Sequence, residues 1–204
     1  MFRATYLALA ALGLTTTGAA APAGDAPRTG EQPRVIAGAV IKGAKGKTLG
    51  TFQLEAYGRG KSRVTVHVRG LTPGFHGVHL HGTGVCDPKS IDPATGSPFA
   101  SAGDHLGHGK TLRHPAIGDF PPLLVNSDGT AYMSVVIDRI PRRRLADRDG
   151  SAVIIHAKPD NLAHIPDRYT HPEDSTGTKG PDEASRRTGD AGARVGCGVI
   201  EVVD

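Results

Sequence analysis

The sequence has few aromatic side chains and no tryptophan: phenylalanine, tryptophan and tyrosine together make up 4% of its 204 residues. Proteins that bind single-stranded nucleic acids stack the bases on aromatic side chains, so we expect no nucleic-acid partner. Long hydrophobic runs are also missing, because the apolar stretch 7–21 is shorter than the roughly 20 residues that span a bilayer. We therefore expect no stable membrane insertion.

Charge of one sign is only slightly in excess, with 24 lysines and arginines against 20 aspartates and glutamates. A formal net charge of +4 can attract a small anion but requires no polyanionic partner. What the chain has in quantity is glycine and proline, with 28 and 15 residues. This density of helix-breaking residues disfavours a helical bundle and indicates short strands joined by long loops.

The N-terminal segment has the three parts of a secretory signal. A positive start at Arg3 is followed by the uncharged apolar stretch and then by small residues that offer a cleavage site, Ala19 to Ala21. We predict a signal peptide at 1–21, a flexible mature N-terminus at 22–33 and one domain at 34–204. The protein is then expected outside the cytoplasm, either secreted or in the periplasm or cell envelope.

The two cysteines, Cys86 and Cys197, are interpreted in the light of that export. An even number of cysteines in an oxidising compartment indicates a disulfide, so we expect one bond between them. Two free buried thiols are the alternative.

The mature chain carries the patterns of strands and little helix. Val64, Val66 and Val68 alternate with polar residues, which is typical of a half-buried strand. We predict further strands that cover 35–41, 51–57, 123–125, 132–137, 152–157 and 195–203, and short helices within 141–147 and 181–187. Two segments, about 82–121 and 158–193, are too long to be simple turns, and long loops in a compact domain usually carry function.

Histidine is the informative residue type, with ten in the chain. His79 and His81 form a His-x-His, and residues two apart on a strand point to the same face, so both rings can reach one ion. His105 lies in the first long loop, and His156 ends a buried strand, where a histidine satisfied within the core is the alternative. Cu(II) suits several imidazole ligands, and Zn(II) remains open on this chemistry alone.

Two segments resemble the signature motifs of the copper/zinc superoxide dismutases. Gly74-Phe75-His76-Gly77-Val78-His79-Leu80-His81 is similar to one motif, and 189–200, with the sequence GDAGARVGCGVI, is similar to the other. The resemblance covers roughly 34–204 and points to the bacterial secreted type. It implies an all-β fold, an eight-stranded Greek-key β-sandwich or flattened barrel with two long functional loops.

The resemblance also implies a role for individual residues. His79, His81 and His156 match the copper ligands, and His105 matches the histidine that bridges copper and zinc and delivers a proton. Arg194 matches the arginine that guides the anion to copper. Asp160 matches the outer carboxylate that links the two metal sites, and Cys86 and Cys197 match the family disulfide.

The sequence departs from the family at the zinc site. Asp119 matches the zinc-binding aspartate, but Ala116 stands where the family carries a histidine three residues earlier. His114 and, less favoured, His108 are the candidates for rebuilding the site, although neither has the family spacing. This pattern resembles the copper-only branch, so we expect copper as the cofactor and no stoichiometric zinc.

The resulting hypothesis is a superoxide dismutase that disproportionates superoxide into oxygen and hydrogen peroxide outside the cytoplasm. The alternative is a related domain that binds or delivers copper without catalysis. A guiding arginine favours the enzyme, since copper storage does not need a cation beside the metal. A homodimer is left open, because no surface patch in the sequence can be assigned to it.

Overall fold

A computed structural model describes residues 34–93, 95–107, 117–138, 140–162 and 180–203. The predicted signal peptide at 1–21, the N-terminal segment at 22–33 and the zinc candidates His108 and His114 lie outside these ranges. Within the described ranges no helix is long and apolar enough to cross a membrane.

Antiparallel strands form most of the regular secondary structure of the described residues. In chain order they are β1 (Arg34–Lys42), β2 (Thr48–Tyr57), β3 (Lys61–Arg69), β4 (Gly74–His76), β5 (Val78–His81), β6 (Leu123–Val125), β7 (Thr130–Asp138), β8 (Ala152–His156), β9 (Arg194–Val199) and β10 (Glu201–Val202). Of two short helices, α1 (Arg142–Leu145) falls within the predicted segment 141–147, and α2 (Glu183–Thr188) overlaps the predicted segment 181–187 and ends one residue beyond it. The predicted all-β fold is confirmed.

Most of these strands join in one curved sheet. Its order is β5-β8-β9-β1-β2-β3-β7, with β10 also paired to β1, while β4 and β6 form a separate two-stranded sheet. The predicted alternation of buried apolar and more exposed polar residues in β3 is confirmed, since Val64, Val66 and Val68 are buried. They belong to a core that also includes Phe52 and Phe120, whose ring centroids lie 5.9 Å apart.

The predicted last strand, 195–203, is wrong as a single strand. It divides into β9 and β10 at Ile200, whose N–H donates to the carbonyl of Ser151, the residue directly before β8. β9 pairs with β8 along its length and with β1 at Cys197, whereas β10 pairs with β1. The segment 194–202 therefore lies between two neighbouring strands of the curved sheet.

The strands β5, β8 and β9 bring distant parts of the chain together. In the register of β5 and β8, His79 lies opposite Ile154 and His81 opposite Ala152. β8 pairs antiparallel with β9, with His156 opposite Arg194. Residues of the two long loops also lie at this end of the sheet. The site residues predicted from the sequence therefore come together there.

Candidate metal centre

Histidine side chains from three parts of the chain form one buried cluster. His79 and His81 come from β5, His156 ends β8, and His105 lies in the first long loop. All four are buried, with at most 4% of each residue exposed. The loop is positioned by backbone bridges of His81 to His105 and of His79 to Asp119.

The four rings are close enough to share one ion. Their centroids lie between 4.0 Å, for His79 and His105, and 6.4 Å, for His79 and His81. One ring nitrogen of each histidine lies within 4.8 Å of the corresponding nitrogen of the others. Bonds of about 2 Å between a metal and imidazole nitrogens place opposite ligands about 4 Å apart, so the cluster fits a single ion after small adjustments.

The second nitrogen of three rings is held by the protein. Nε2 of His79 lies 2.5 Å from Oδ2 of Asp160, Nδ1 of His81 lies 2.8 Å from the Gly103 carbonyl, and Nδ1 of His156 lies 2.9 Å from the Gly192 carbonyl. These oxygens accept hydrogen bonds, so each orients its ring and places the proton on that nitrogen.

The other ring nitrogen of each of these three histidines is buried inside the cluster. Nε2 of His81 and Nε2 of His156 are buried and have no hydrogen-bond partner among the described residues, and the Nδ1 atom of His79 is buried in the same manner. Buried polar atoms are otherwise almost always hydrogen-bonded. Unprotonated imidazole nitrogens that face one another across a small space are the donor set that a copper ion takes.

Burial also favours the neutral form of His81 and His156. Burial, followed by repulsion from the protonated forms of His105 and His156, lowers the pKa of His81 well below the usual 6.5 of histidine. Burial, followed by repulsion from His79, lowers the pKa of His156 in the same way. Neutral rings at neutral pH have lone pairs available to a metal.

The outer nitrogen of His105 is held by a carboxylate, as that of His79 is by Asp160. Nδ1 of His105 lies 2.8 Å from Oδ1 of Asp119, and both side chains are almost fully buried. The resemblance matches His105 to the bridging histidine and Asp119 to the zinc-binding aspartate, and the structure brings these two side chains together. His114 and Ala116, which bear on the zinc site, lie outside the described residues.

Arg194 lies at the start of β9 and is anchored by two backbone carbonyls. Its Nη1 donates to the Phe99 carbonyl at 2.6 Å and its Nη2 donates to the Gly103 carbonyl at 2.8 Å. Burial lowers the pKa of Arg194, and the nearby carboxylates of Asp92 and Asp104 oppose that shift. A guanidinium remains charged at neutral pH, so a fixed cation lies beside the histidine cluster.

Cys86 and Cys197 form the disulfide, with their Cα atoms 5.7 Å apart. The bond joins the first long loop to β9, the strand that begins with Arg194. It packs with Phe99, Ala102 and Ile154 in a small apolar cluster. The loop that supplies both carbonyls to Arg194 is therefore covalently attached to the strand of that arginine.

Comparison with known proteins agrees with this geometry. The family model for copper/zinc superoxide dismutase matches residues 48–200. A Mycobacterium tuberculosis protein named as a copper–zinc superoxide dismutase is 40% identical over 194 residues, which cover 90% of this chain and 78% of that protein. A similarly named protein of Mycolicibacterium paratuberculosis is 41% identical over 166 residues, which cover 78% and 71% of the two chains. The chain belongs to the copper/zinc superoxide dismutase family.

Solved structures of this family also resemble the fold. The copper/zinc superoxide dismutase of Brucella abortus aligns with a TM-score of 0.56 and 25% identity, covering 80% of this chain and 98% of that one. Membership of the superoxide dismutase family and the four-histidine cluster together indicate that the site binds copper.

Sequence reasoning missed several groups that build this superoxide dismutase site. His76 is buried, and its Nδ1 lies 2.6 Å from the carbonyl of the metal-site residue His156, while its Nε2 lies 2.8 Å from the carbonyl of Thr72. The sequence feature that could have identified His76 is its position inside the motif at 74–81. The carbonyls of Phe99, Gly103 and Gly192 had no such signal, because a backbone oxygen is common to every residue type.

Proposed function

We propose that this chain is a copper-dependent superoxide dismutase that disproportionates superoxide into oxygen and hydrogen peroxide outside the cytoplasm. The observation that carries the proposal is the arrangement of four buried imidazoles around one point with the Arg194 guanidinium beside them. Copper, when bound, supplies the one-electron redox couple by which two superoxide anions and two protons become one oxygen and one hydrogen peroxide.

The protein's first contribution is to hold the four ligands. We assign His79, His81, His105 and His156 as the copper ligands. Asp160 and the carbonyls of Gly103 and Gly192 fix the orientation of three of the rings, so the lone pairs converge without rearrangement.

Arg194 is assigned as the residue that attracts and orients the anion. Its two bonds to backbone carbonyls hold the guanidinium in place while leaving its positive charge uncompensated by those neutral partners. A fixed charge at a site of this kind raises association rates of a charged substrate by about 10 to 10³-fold, and added salt weakens the effect.

His105 is assigned a second role as the source of a proton. Asp119 accepts the proton on Nδ1 of His105, so Nε2 is the nitrogen available to the cluster. We propose that Nε2 of His105 takes up a proton and passes it to the reduced substrate. Histidine suits this role because its side chain exchanges protons near neutral pH.

We also propose that the enzyme works with copper and without stoichiometric zinc. One observation supports this: Ala116 stands where the family's zinc pattern carries a histidine. A closed zinc site takes four protein ligands. His105 and Asp119 supply two of them, and His114 and, less favoured, His108 are the remaining candidates.

Export is supported by the N-terminal pattern together with the disulfide. The signal-like segment at 1–21 directs the chain out of the cytoplasm, where the bond between Cys86 and Cys197 persists. We therefore place the enzyme in the periplasm, the cell envelope or the medium. A homodimer stays a prediction, which sedimentation velocity of the folded chain checks.

Metal analysis paired with a dismutation assay tests the proposal. The folded chain, loaded with excess copper and zinc and then dialysed, should retain about one copper and far less than one zinc, because one four-nitrogen site is complete. The copper-loaded chain should dismutate superoxide, and the metal-free chain should not.

Each outcome of that experiment separates two hypotheses. Copper retention without turnover would favour the copper-binding or delivery protein, against which the anchored Arg194 argues. Equal copper and zinc would show that the zinc site is rebuilt and would contradict the copper-only proposal while leaving the dismutase intact.

A further inference from the structure

Asp190 has a backbone conformation that is uncommon for a residue with a side chain. Its φ is 53°, and it follows Gly189, with φ 56°, at the end of α2. Aspartate and asparagine tolerate the left-handed region better than other residues, yet they remain there only where the surroundings enforce it. The second motif places this residue four positions before Arg194, and the proposed chemistry assigns it no role.

The carboxylate of Asp190 connects α2 to the second long loop. Its Oδ2 accepts hydrogen bonds from Oγ of Ser185 at 2.5 Å and from Nδ2 of Asn161 at 2.7 Å. Ser185 belongs to α2, whereas Asn161 directly follows Asp160, the residue that orients His79. The Asp190 side chain is therefore hydrogen-bonded to the residue that directly follows Asp160, whose carboxylate contacts His79.

Gly189 provides a second connection to the same carboxylate. Its carbonyl accepts the backbone N–H of Asn161 at 2.8 Å. A Cβ atom at Gly189 would lie only 1.8 Å from Oδ1 of Asp160, so the glycine backbone packs directly against that carboxylate. Oδ1 of Asp160 also accepts the N–H of Leu162, at 2.5 Å.

We propose that Asp190 is a positioning residue of the metal centre. Through Asn161 and Gly189 it holds the Asp160 carboxylate where Oδ2 accepts the proton on Nε2 of His79. With that proton fixed on Nε2, the lone pair of Nδ1 of His79 is kept for the metal. The inference rests on the proposed function, since it takes the histidine cluster to be a copper site.

The test compares Asp190→Ala with Asp190→Asn in the full chain. Partners that orient a metal-bound histidine are worth about 10 to 100-fold in metal affinity, so Asp190→Ala should weaken copper binding about tenfold. Chelator competition measures that affinity, and the electron paramagnetic resonance spectrum of bound Cu(II) should change as His79 reorients. Asp190→Asn keeps an oxygen acceptor and the left-handed preference, and should recover most of the affinity and the spectrum.

Asp128→Ala is the matched control. Asp128 also accepts hydrogen bonds from a backbone N–H and a hydroxyl, both of Thr130, at 2.9 Å and 2.6 Å. It lies in the turn between β6 and β7, outside the network around Asp160. Its removal should leave copper affinity and the Cu(II) spectrum unchanged.

Asn161→Ala keeps the test decisive if Asp190→Ala does not fold. It removes the side-chain link to Asp190 and leaves the left-handed turn intact, so it should shift affinity and spectrum in the same direction. A wild-type chain that binds no copper would overturn the proposed function itself. A wild-type chain that binds copper, with variants that bind it equally tightly and give the same spectrum, would overturn the positioning role even if their melting temperatures fell.

Discussion

The carbonyl oxygen of Gly103 contacts two functional side chains at once. It accepts a hydrogen bond from Nδ1 of His81 and another from Nη2 of Arg194. A single backbone atom therefore orients a proposed copper ligand and the proposed anion guide relative to each other. The Phe99 carbonyl also accepts a hydrogen bond from the guanidinium. The position of the cation is therefore fixed by backbone oxygens of the loop, and not by the Arg194 side chain alone.

Arg194→Ala should reduce kcat/KM for superoxide by about tenfold or more, because the fixed charge that attracts the anion is lost. The copper content should stay the same, since the four imidazoles remain. Stopped-flow dismutation measured across a range of salt concentrations should also show a flatter salt dependence than the wild type.

Arg194→Lys is the control for charge against geometry. Lysine keeps the positive charge but cannot reach two carbonyls with a rigid fork, so its rate should lie between those of the wild type and the alanine variant. Loss of copper from both variants would contradict the assignment, because it would make Arg194 a structural support of His81 through their shared carbonyl.

At the scale of elements, the site depends on a loop that is attached to a strand. The first long loop supplies His105 and the carbonyls of Phe99 and Gly103, and the disulfide joins this loop to β9. The apolar contacts of Phe99 and Ala102 with Ile154 of β8 support the same attachment. The loop is thereby fixed both to the strand that carries Arg194 and to the strand that carries His156.

Replacing both cysteines, Cys86→Ser with Cys197→Ser, should lower the free energy of unfolding by about 4–5 kcal/mol, because the unfolded chain regains the entropy of a long closed loop. Urea denaturation of the metal-free protein measures this change. Ser101→Ala is the control within the same loop: it removes hydrogen bonds with the Val85 carbonyl and the Asp87 N–H but leaves the covalent link.

The control should cost far less, about 1 kcal/mol for each hydrogen bond. If the serine double variant were no less stable than Ser101→Ala, the apolar cluster around Phe99 would be sufficient to hold the loop. The disulfide would then have no measurable part in fixing the site.

At the scale of the whole molecule, the buried histidines make the stability of the metal-free protein depend on pH. The pKa values of His81 and His156 lie well below 6.5 in the folded state, chiefly through burial. Below about pH 6.5 the unfolded chain binds protons at these two residues that the folded chain does not, so stability falls as the pH falls. Above this pH both states are neutral there and the effect vanishes.

The free energy of unfolding of the metal-free protein should therefore decrease between pH 7.5 and about pH 5, as followed by urea denaturation. Asp128 and Asp138 do not contribute in that window, because hydrogen bonds hold their pKa values below the usual 3.8. His81→Gln with His156→Gln should flatten the dependence. A metal-free wild type whose stability is constant or rises as the pH falls would contradict the burial argument.

Much of this molecule follows from local sequence patterns. The alternating valines of β3, the apolar run of β8 and the two glycine-rich motifs are periodic or contiguous signals, so the all-β fold and the histidine candidates could be predicted residue by residue. The division of the last strand at Ile200 could not, because it depends on how the chain pairs with β8 and β1 on either side of that residue.

The sequence by itself determined which residue types are available for chemistry: His79, His81, His105 and His156 for a metal, Arg194 for an anion and two cysteines for a bond. Tertiary structure alone decided their distances and the partners of their outer nitrogens. Those partners are largely backbone carbonyls and the buried carboxylate of Asp160, which β-sheet register and loop closure bring from far along the chain. Such contacts leave no local trace in the sequence, because any residue supplies a carbonyl and only the fold determines where it points.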